Sequence, residues 1–304
     1  MSDQQNQPSL GLTGTDFANA INRHGYPFQY RTLKAARDAS DNRSSPWIFQ
    51  VSEFPVEVRG KPTRIDYVLQ RKPSSFARRD VTFEILLVVE CKRANPRMKR
   101  WCFARAPYVR RNSSSESLLS ECLIFSHEKQ TYTASVSKDS FLPDDSFFHV
   151  AQEVKAREET GDDRSSSGRG AIEEAATQVN LGLNGLVEHL RNERPPFSTD
   201  AKMTFIPVIV TTAELFAAGV DLSEGDIELG ELDAAKVQLA EKEWLFYQYP
   251  VSPGIKHSVP QAKPDPESLI DLGKALDANY LRTVAIVQGK HIEKFLARFG
   301  AYFD

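Results

Sequence analysis

Asp66, Glu90 and Lys92 are the residues whose types and spacing fit a reaction. Glu90 and Lys92 end the stretch Glu84-Ile-Leu-Leu-Val-Val-Glu90-Cys91-Lys92, where five apolar residues run into a carboxylate and then an amine. Alternate side chains of a strand share a face, so Glu90 and Lys92 point to one side. A second expected strand, Arg64 to Gln70, supplies Asp66. Two carboxylates suit Mg2+ (or Mn2+), which takes oxygen ligands, keeps several waters and binds substrate phosphate. The Cys91 carbonyl, at the same strand end, is the candidate third oxygen. Such a metal polarises a phosphate and acidifies its bound water, while Lys92 orients that water or stabilises developing negative charge. This is equipment for hydrolysing a phosphodiester bond. The bare triplet also fits an exposed strand end with solvated charges. Ile85 to Val89 reads as buried on both faces, however, and charges that follow such a run are usually paired or metal-bound.

Further candidates surround the triplet. Gln178 follows Glu174 by four residues on an expected helix, so the two share a face. Gln178 either reaches the phosphate or attacking water, or is a surface amide. Glu84 lies on the face of Glu90, but about 20 Å away at strand rise, too far to share a metal. Glu53, from the preceding strand, is a further candidate to face the site. Arg93, Arg97, Lys99, Arg100, Arg105, Arg110 and Arg111 follow in a stretch without Asp or Glu, interleaved with Trp101, Phe103 and Tyr108. Clustered cations bind phosphates and aromatics stack on bases. The same composition also fits a charged loop whose aromatics are core. Its position beside Lys92 favours nucleic acid. His127, His149, His189 and His257 show no metal-ligand spacing.

These residues need elements to position them. Residues 1–11 read as a disordered tail, and Thr13 to Arg23 as a helix with Thr15 as its candidate cap. A second short helix covers Tyr30 to Ala39. Trp47 to Val58, Arg64 to Gln70 and Glu84 to Arg93 read as three strands of an antiparallel meander. Residues 94–170 read as an inserted basic subdomain, with a hairpin of Glu121 to Phe125 and Gln130 to Val136 and a Ser-rich loop at Ser165 to Gly170. Ala175, Ala176, Val179, Leu183, Leu186, Val187 and Leu190 form a helical stripe over Ala171 to Glu193. Met203 to Thr211 reads as a central strand, with Pro207 arguing against full pairing. Residues 213–304 form a C-terminal extension: a strand at Glu243 to Tyr249, a Pro-rich linker over Pro250 to Pro266, a strand at Thr283 to Gln288 and a helix at His291 to Phe299.

Composition narrows the class. The 304 residues carry a formal net charge of −3, so any signal for nucleic acid is local rather than global. Three cysteines without CxxC spacing argue against a disulfide framework and a structural zinc site. The polar N-terminus and the lack of a long apolar run predict no signal peptide, no membrane span and a cytoplasmic protein.

Ile65-Asp66 and Glu90-Cys91-Lys92 together resemble the motif of the PD-(D/E)xK nuclease superfamily, with Ile65 standing where that family has proline. The order of elements over residues 12–93 and 171–212 resembles its αβββαβ core, and Gln178 resembles a glutamine that several branches place near the active site. The resemblance implies an α/β restriction-endonuclease-like domain over 12–304, a mixed sheet flanked by helices. It also implies Mg2+-dependent hydrolysis of DNA by Asp66, Glu90, Lys92 and Gln178. A restriction or anti-phage defence role, a partner protein of a defence system and a homodimer are expectations of the same kind. The alternatives are a non-cleaving nucleic-acid-binding module, a defence-complex subunit on the same fold, and an RNA-directed nuclease.

Overall fold

Thr13, not Thr15, caps the first helix, α1 (Gly14–Arg23): its side chain accepts from the Asp16 N–H while Asp16 reaches back to the Thr13 N–H. The expected cap lies inside the helix because this reciprocal pair fixes the start two residues earlier. The structure is a computed structural model that describes residues 13–41, 45–58, 60–72, 81–106, 118–139, 147–155, 170–193, 197–250 and 281–302. The tail 1–11, Tyr108, Arg110, Arg111, Ser165 to Arg169 of the Ser-rich loop and nearly all of the Pro-rich linker lie outside the described residues. No helix among the described residues is long and apolar enough to cross a membrane.

The chain is a mixed α/β structure whose large mixed sheet is flanked by helices. After α1 comes α2 (Tyr26–Asp41), then β1 (Trp47–Val58), β2 (Lys61–Arg71) and β3 (Val81–Lys92), an antiparallel meander as expected. The helix α3 (Ala171–Glu193) follows, and β9 (Asp200–Thr211) runs parallel to β3 in an unbroken register from Val81–Asp200 to Lys92–Thr211. The interval between β3 and α3 is woven into both sheets. It holds β4 (Arg100–Arg105), β5 (Leu118–Ser126), β6 (Thr131–Asp139), β7 (Phe147–Phe148) and β8 (Val150–Val154). The hairpin β5–β6 joins the large sheet through β9. β4 and β8 instead join β10 (Glu214–Asp221) and β11 (Leu239–Lys242) in a second, four-stranded sheet. The strand β10 has no counterpart in the expected elements. The large sheet is completed by β12 (Trp244–Pro250) and β13 (Leu281–Gln288), and α4 (Ile292–Ala301) follows.

Pro207 sits in the middle of β9 without breaking it. On one edge it lies opposite Val88 of β3. The other edge is divided: β5 pairs with Ala201 to Phe205, and β13 takes over from Val208. Ile206 and Pro207 fall in the gap between them, where a missing N–H breaks no ladder bond. The two strands that share this edge are tied to each other. The Leu119 N–H donates to Thr283 Oγ1 at 2.9 Å. Glu121 and Arg282, both buried, pair at 3.5 Å.

Two apolar layers sandwich the sheet. One packs the expected stripe of α3 against Val56, Ile65, Val68, Leu86 and Val88, and extends to Trp101 and Phe103 of β4. The other packs Ala35 and Ala36 of α2 and Phe295 and Phe299 of α4 against Tyr67, Leu69, Leu87 and Val89. The alternation along β3 therefore sends Glu90 and Lys92 to the α3 side and Cys91 to the α2 side. Glycines bring α3 close. A Cβ on Gly185 would lie 2.7 Å from Val56 Cβ, and one on Gly182 would lie 3.0 Å from Ile65 Cγ1.

Gly185→Ala separates two opposing effects. Alanine gains about 1 kcal/mol of helix propensity, while overpacking against the β-branched Val56 costs about 1–3 kcal/mol. The clash wins, and the variant loses on the order of 1 kcal/mol in urea denaturation. A variant more stable than the wild type would show that α3 sits farther from β1.

Candidate active site at the parting of two strands

The site arises where β2 and β3 separate. Their antiparallel register runs from Gln70–Leu86 to Tyr67–Val89 and stops there. β3 continues to Lys92 on the strength of β9 alone. The next N–H of β3 that faces β2, on Cys91, is met by a side chain: it donates to Asp66 Oδ2 at 2.7 Å. A residue's N–H and C=O leave a strand on the same edge, so the Cys91 carbonyl also faces the gap. The carboxylate of Asp66 thus stands in for a ladder carbonyl, and the gap gathers oxygen atoms.

β2 is irregular at the same place. Tyr67 belongs to the α2 layer, yet Ile65, two positions earlier, belongs to the α3 layer. The regular alternation is broken at Asp66. Across β1, Glu53 has a φ of +52°, a left-handed conformation uncommon for a residue with a Cβ. Strain of this kind costs on the order of 1–3 kcal/mol and gathers at functional sites. Gln29 of α2 bridges the two acids: its side-chain amide donates to Asp66 Oδ1 at 3.0 Å and to Glu53 Oε1. Arg64 holds the other Glu53 oxygen at 2.6 Å. On the α2 side, the Thr32 hydroxyl lies 3.1 Å from Cys91 Sγ.

Lys92 projects toward α3, as the alternation requires. Its ammonium pairs with Glu174 Oε2 at 3.1 Å and donates to Gln178 Oε1 at 3.4 Å. The two α3 residues one turn apart therefore grip one amine.

The carboxyls are poised electrostatically. Burial, followed by the charge of Glu53, pushes Asp66 up to about 6, against the lowering effect of the Cys91 N–H. Burial pushes Glu90 up to about 8, and the charge of Asp66 adds to it while Lys92 opposes it. Among the described residues, no hydrogen bond or ion pair holds the Glu90 carboxylate. Two partly desolvated acids that repel each other, one without a donor, are a donor set short of positive charge. A hard divalent cation fits it, with Asp66, Glu90 and the Cys91 carbonyl as protein oxygens and water for the rest. Among the described residues no three His, Cys, Asp or Glu side chains converge as a cluster able to hold a metal.

The described part of the basic stretch runs from the end of β3 into β4. Trp101 and Phe103 are fully buried core residues of β4, which corrects their reading as base-stacking groups. Alternation on β4 turns these rings inward, and Arg100 pairs with Glu214 of β10 at 3.4 Å. Arg105 lies over the ring of Phe148 at 5.9 Å. Arg93 donates to the Asn22 carbonyl and so ties the end of α1 to the end of β3. Arg97 and Lys99 lie in the segment between β3 and β4, where the Lys99 carbonyl accepts from the Glu214 N–H at 2.8 Å. Glu84 is turned to another task, accepting from Gln70 at 2.8 Å. Sequence patterning missed Gln29 and Thr32. Neither has a spacing signal, because both reach the site from α2 through the tertiary fold.

Both raised carboxyls bind protons more tightly folded than unfolded. The stability this gives is present in acid and lost as pH rises through about 6 and then about 8. Glu90→Gln removes the charge that must be buried. It raises the stability of the metal-free protein at pH about 9 by roughly 1–3 kcal/mol, with little change at pH about 5. Denaturation at the two pH values checks this. A variant no more stable than the wild type in alkali contradicts the electrostatics described.

Comparison of the chain with protein-family models, with curated proteins and with solved structures finds no match.

Proposed function

We propose that the protein is a metal-dependent nuclease that hydrolyses DNA phosphodiester bonds. The observation that carries the reading is the convergence of Asp66, Glu90 and Lys92 where β2 and β3 part, with the amine gripped by Glu174 and Gln178. The elements around the site support it. A helix, a three-stranded meander, a long helix and a strand parallel to β3 follow in the order of the αβββαβ core of the PD-(D/E)xK superfamily.

In this reading Asp66, Glu90 and the Cys91 carbonyl hold Mg2+ or Mn2+. When bound, the ion polarises the scissile phosphate and lowers the pKa of water. The chain's own residues do the rest. Asp66 is held by the Cys91 N–H and Gln29, so its carboxylate is already oriented as a ligand. Lys92 carries three donors on a compact ammonium, suited to orienting a water or stabilising charge on a phosphate oxygen. Glu174 and Gln178 hold the amine in place. The part-buried setting strengthens each of these interactions.

A restriction or anti-phage role, with a defence partner or a second copy, is the biological setting we propose on the strength of the resemblance alone. A non-cleaving binding module on the same fold is less well supported, because such a module has no use for a positioned amine beside two half-buried acids.

Purified protein incubated with plasmid DNA and Mg2+ or Mn2+ tests the reading. The wild type nicks or linearises the plasmid, and Asp66→Asn, Glu90→Gln and Lys92→Ala each reduce the rate about 100-fold or more. Cleavage that survives all three substitutions, or that persists in EDTA, overturns it. An RNA substrate run alongside identifies the sugar that is preferred.

A further inference from the structure

An open groove of about 730 Å³ adjoins the acids on the α2 side, lined by Ile21, Tyr26, Pro27, Tyr30, Glu53 and Arg64. It is within the range of pockets that hold small organic groups. Tyr26 and Tyr30 stand one turn apart on α2, so their rings share a face, and they are 40% and 54% exposed. Neighbouring tyrosines leave a large apolar surface in water unless something stacks on them. The groove is linked to the site through one side chain: Glu53 lines it and is bridged by Gln29 to Asp66. It is anchored there too, since Arg93, next to Lys92, holds the carbonyl of Asn22 at the end of α1.

The charge in the groove is compensated. Arg64 and Glu53 face each other at 2.6 Å, so the groove carries both a cationic fork and a carboxylate rather than net positive charge. A phosphate would be repelled by Glu53. A nucleobase is neutral, has two π-faces for the tyrosines, and has donors and acceptors on its edge for Glu53 and Arg64. A base paired inside a duplex presents no face to a ring. We infer that this groove takes an unpaired base next to the scissile phosphate, so that the substrate is single-stranded DNA or DNA with an unpaired nucleotide at the cleavage point. The inference rests on the nuclease reading and names its substrate class.

The occupant separates this from two other uses of the same patch. A second copy of the chain would bury the tyrosines in a dimer, and a partner protein would cover them without any dependence on DNA strandedness. The test is fluorescence anisotropy with a short labelled single-stranded DNA and the same sequence as a blunt duplex. It is run in Mg2+ on full-length Lys92→Ala protein, so that binding is read without cleavage. The single strand binds more tightly than the duplex. Adding Tyr26→Ala and Tyr30→Ala weakens single-strand binding about tenfold or more and leaves duplex binding unchanged, because stacking on aromatics contributes on that scale per base. Tyr30→Phe, which keeps the ring, retains most of the affinity. Thermal melting of the double variant verifies the fold, and both tyrosines are exposed enough to be removed without a cavity.

Equal binding of single strand and duplex overturns the inference, as does undiminished single-strand binding by the double variant. A concentration-dependent dimer in sedimentation that the tyrosine substitutions abolish, with DNA binding untouched, also overturns it and assigns the patch to self-association. The nuclease reading fails differently, by cleavage that ignores Asp66 and Lys92. A wild type that cuts blunt duplex and single strand alike, with Lys92 dependence, keeps the nuclease and discards the groove.

Discussion

One hydrogen bond organises the centre of this protein: the Cys91 N–H donates to the Asp66 carboxylate where β2 and β3 part company. If the two strands stayed paired for two more residues, the Cys91 N–H and C=O would be consumed by the ladder. Asp66 would then be one more side chain on a sheet face. Because they separate, a backbone donor orients the acid from one side and a backbone carbonyl is left facing the same gap. A buried N–H needs a partner, and here the partner is the group that the proposed chemistry needs. The break in alternation at Asp66 and the left-handed Glu53 are the local deformations that accompany the parting.

The rest of the fold supports that gap. β3 runs on past β2 only because β9 pairs with it along its whole length, so β9 must be a central strand. β9 is held on its other edge by two strands in relay, which is how it keeps a proline in its middle. On one face α3 is pressed close by Gly182 and Gly185, and its first turns carry Glu174 and Gln178 to Lys92. On the other face α2 delivers Gln29 and Thr32 to Asp66 and Cys91. The two helices fix the two ends of the motif independently, one through the amine and one through the acid.

Much of this is legible in the sequence, and the reasons for the exceptions are physical. The meander, α3 and β9 have clear signals: alternation in β1, continuous apolar runs in β3 and β9, and a helical stripe in α3. The face shared by Glu90 and Lys92 follows from strand geometry alone, and the partnership of Glu174 with Gln178 from helix geometry alone. What local pattern cannot carry is pairing at a distance. The second sheet joins β4 and β8 to β10 and β11, with β4 and β10 more than a hundred residues apart, and no local signal marks β10 as a strand. Trp101 and Phe103 sit in a stretch so rich in cations that composition speaks for an exposed surface. Only the alternation of β4, once paired, turns the rings into the core. Gln29 shows the same limit, since an amide on an amphipathic helix has no local mark of the acid it will meet.

The gap between β2 and β3 is proposed as a site for one divalent cation. Calorimetric titration of Mn2+ into the protein at neutral pH, repeated in buffers of different ionisation enthalpy, tests it most directly. One ion binds per chain with release of protons, because a carboxyl pushed up to about 8 must give up its proton to become a ligand. Binding is lost in the Asp66→Asn, Glu90→Gln double variant. Binding that persists in that variant, or a wild type that takes up no Mn2+, would show that the gap is not a metal site.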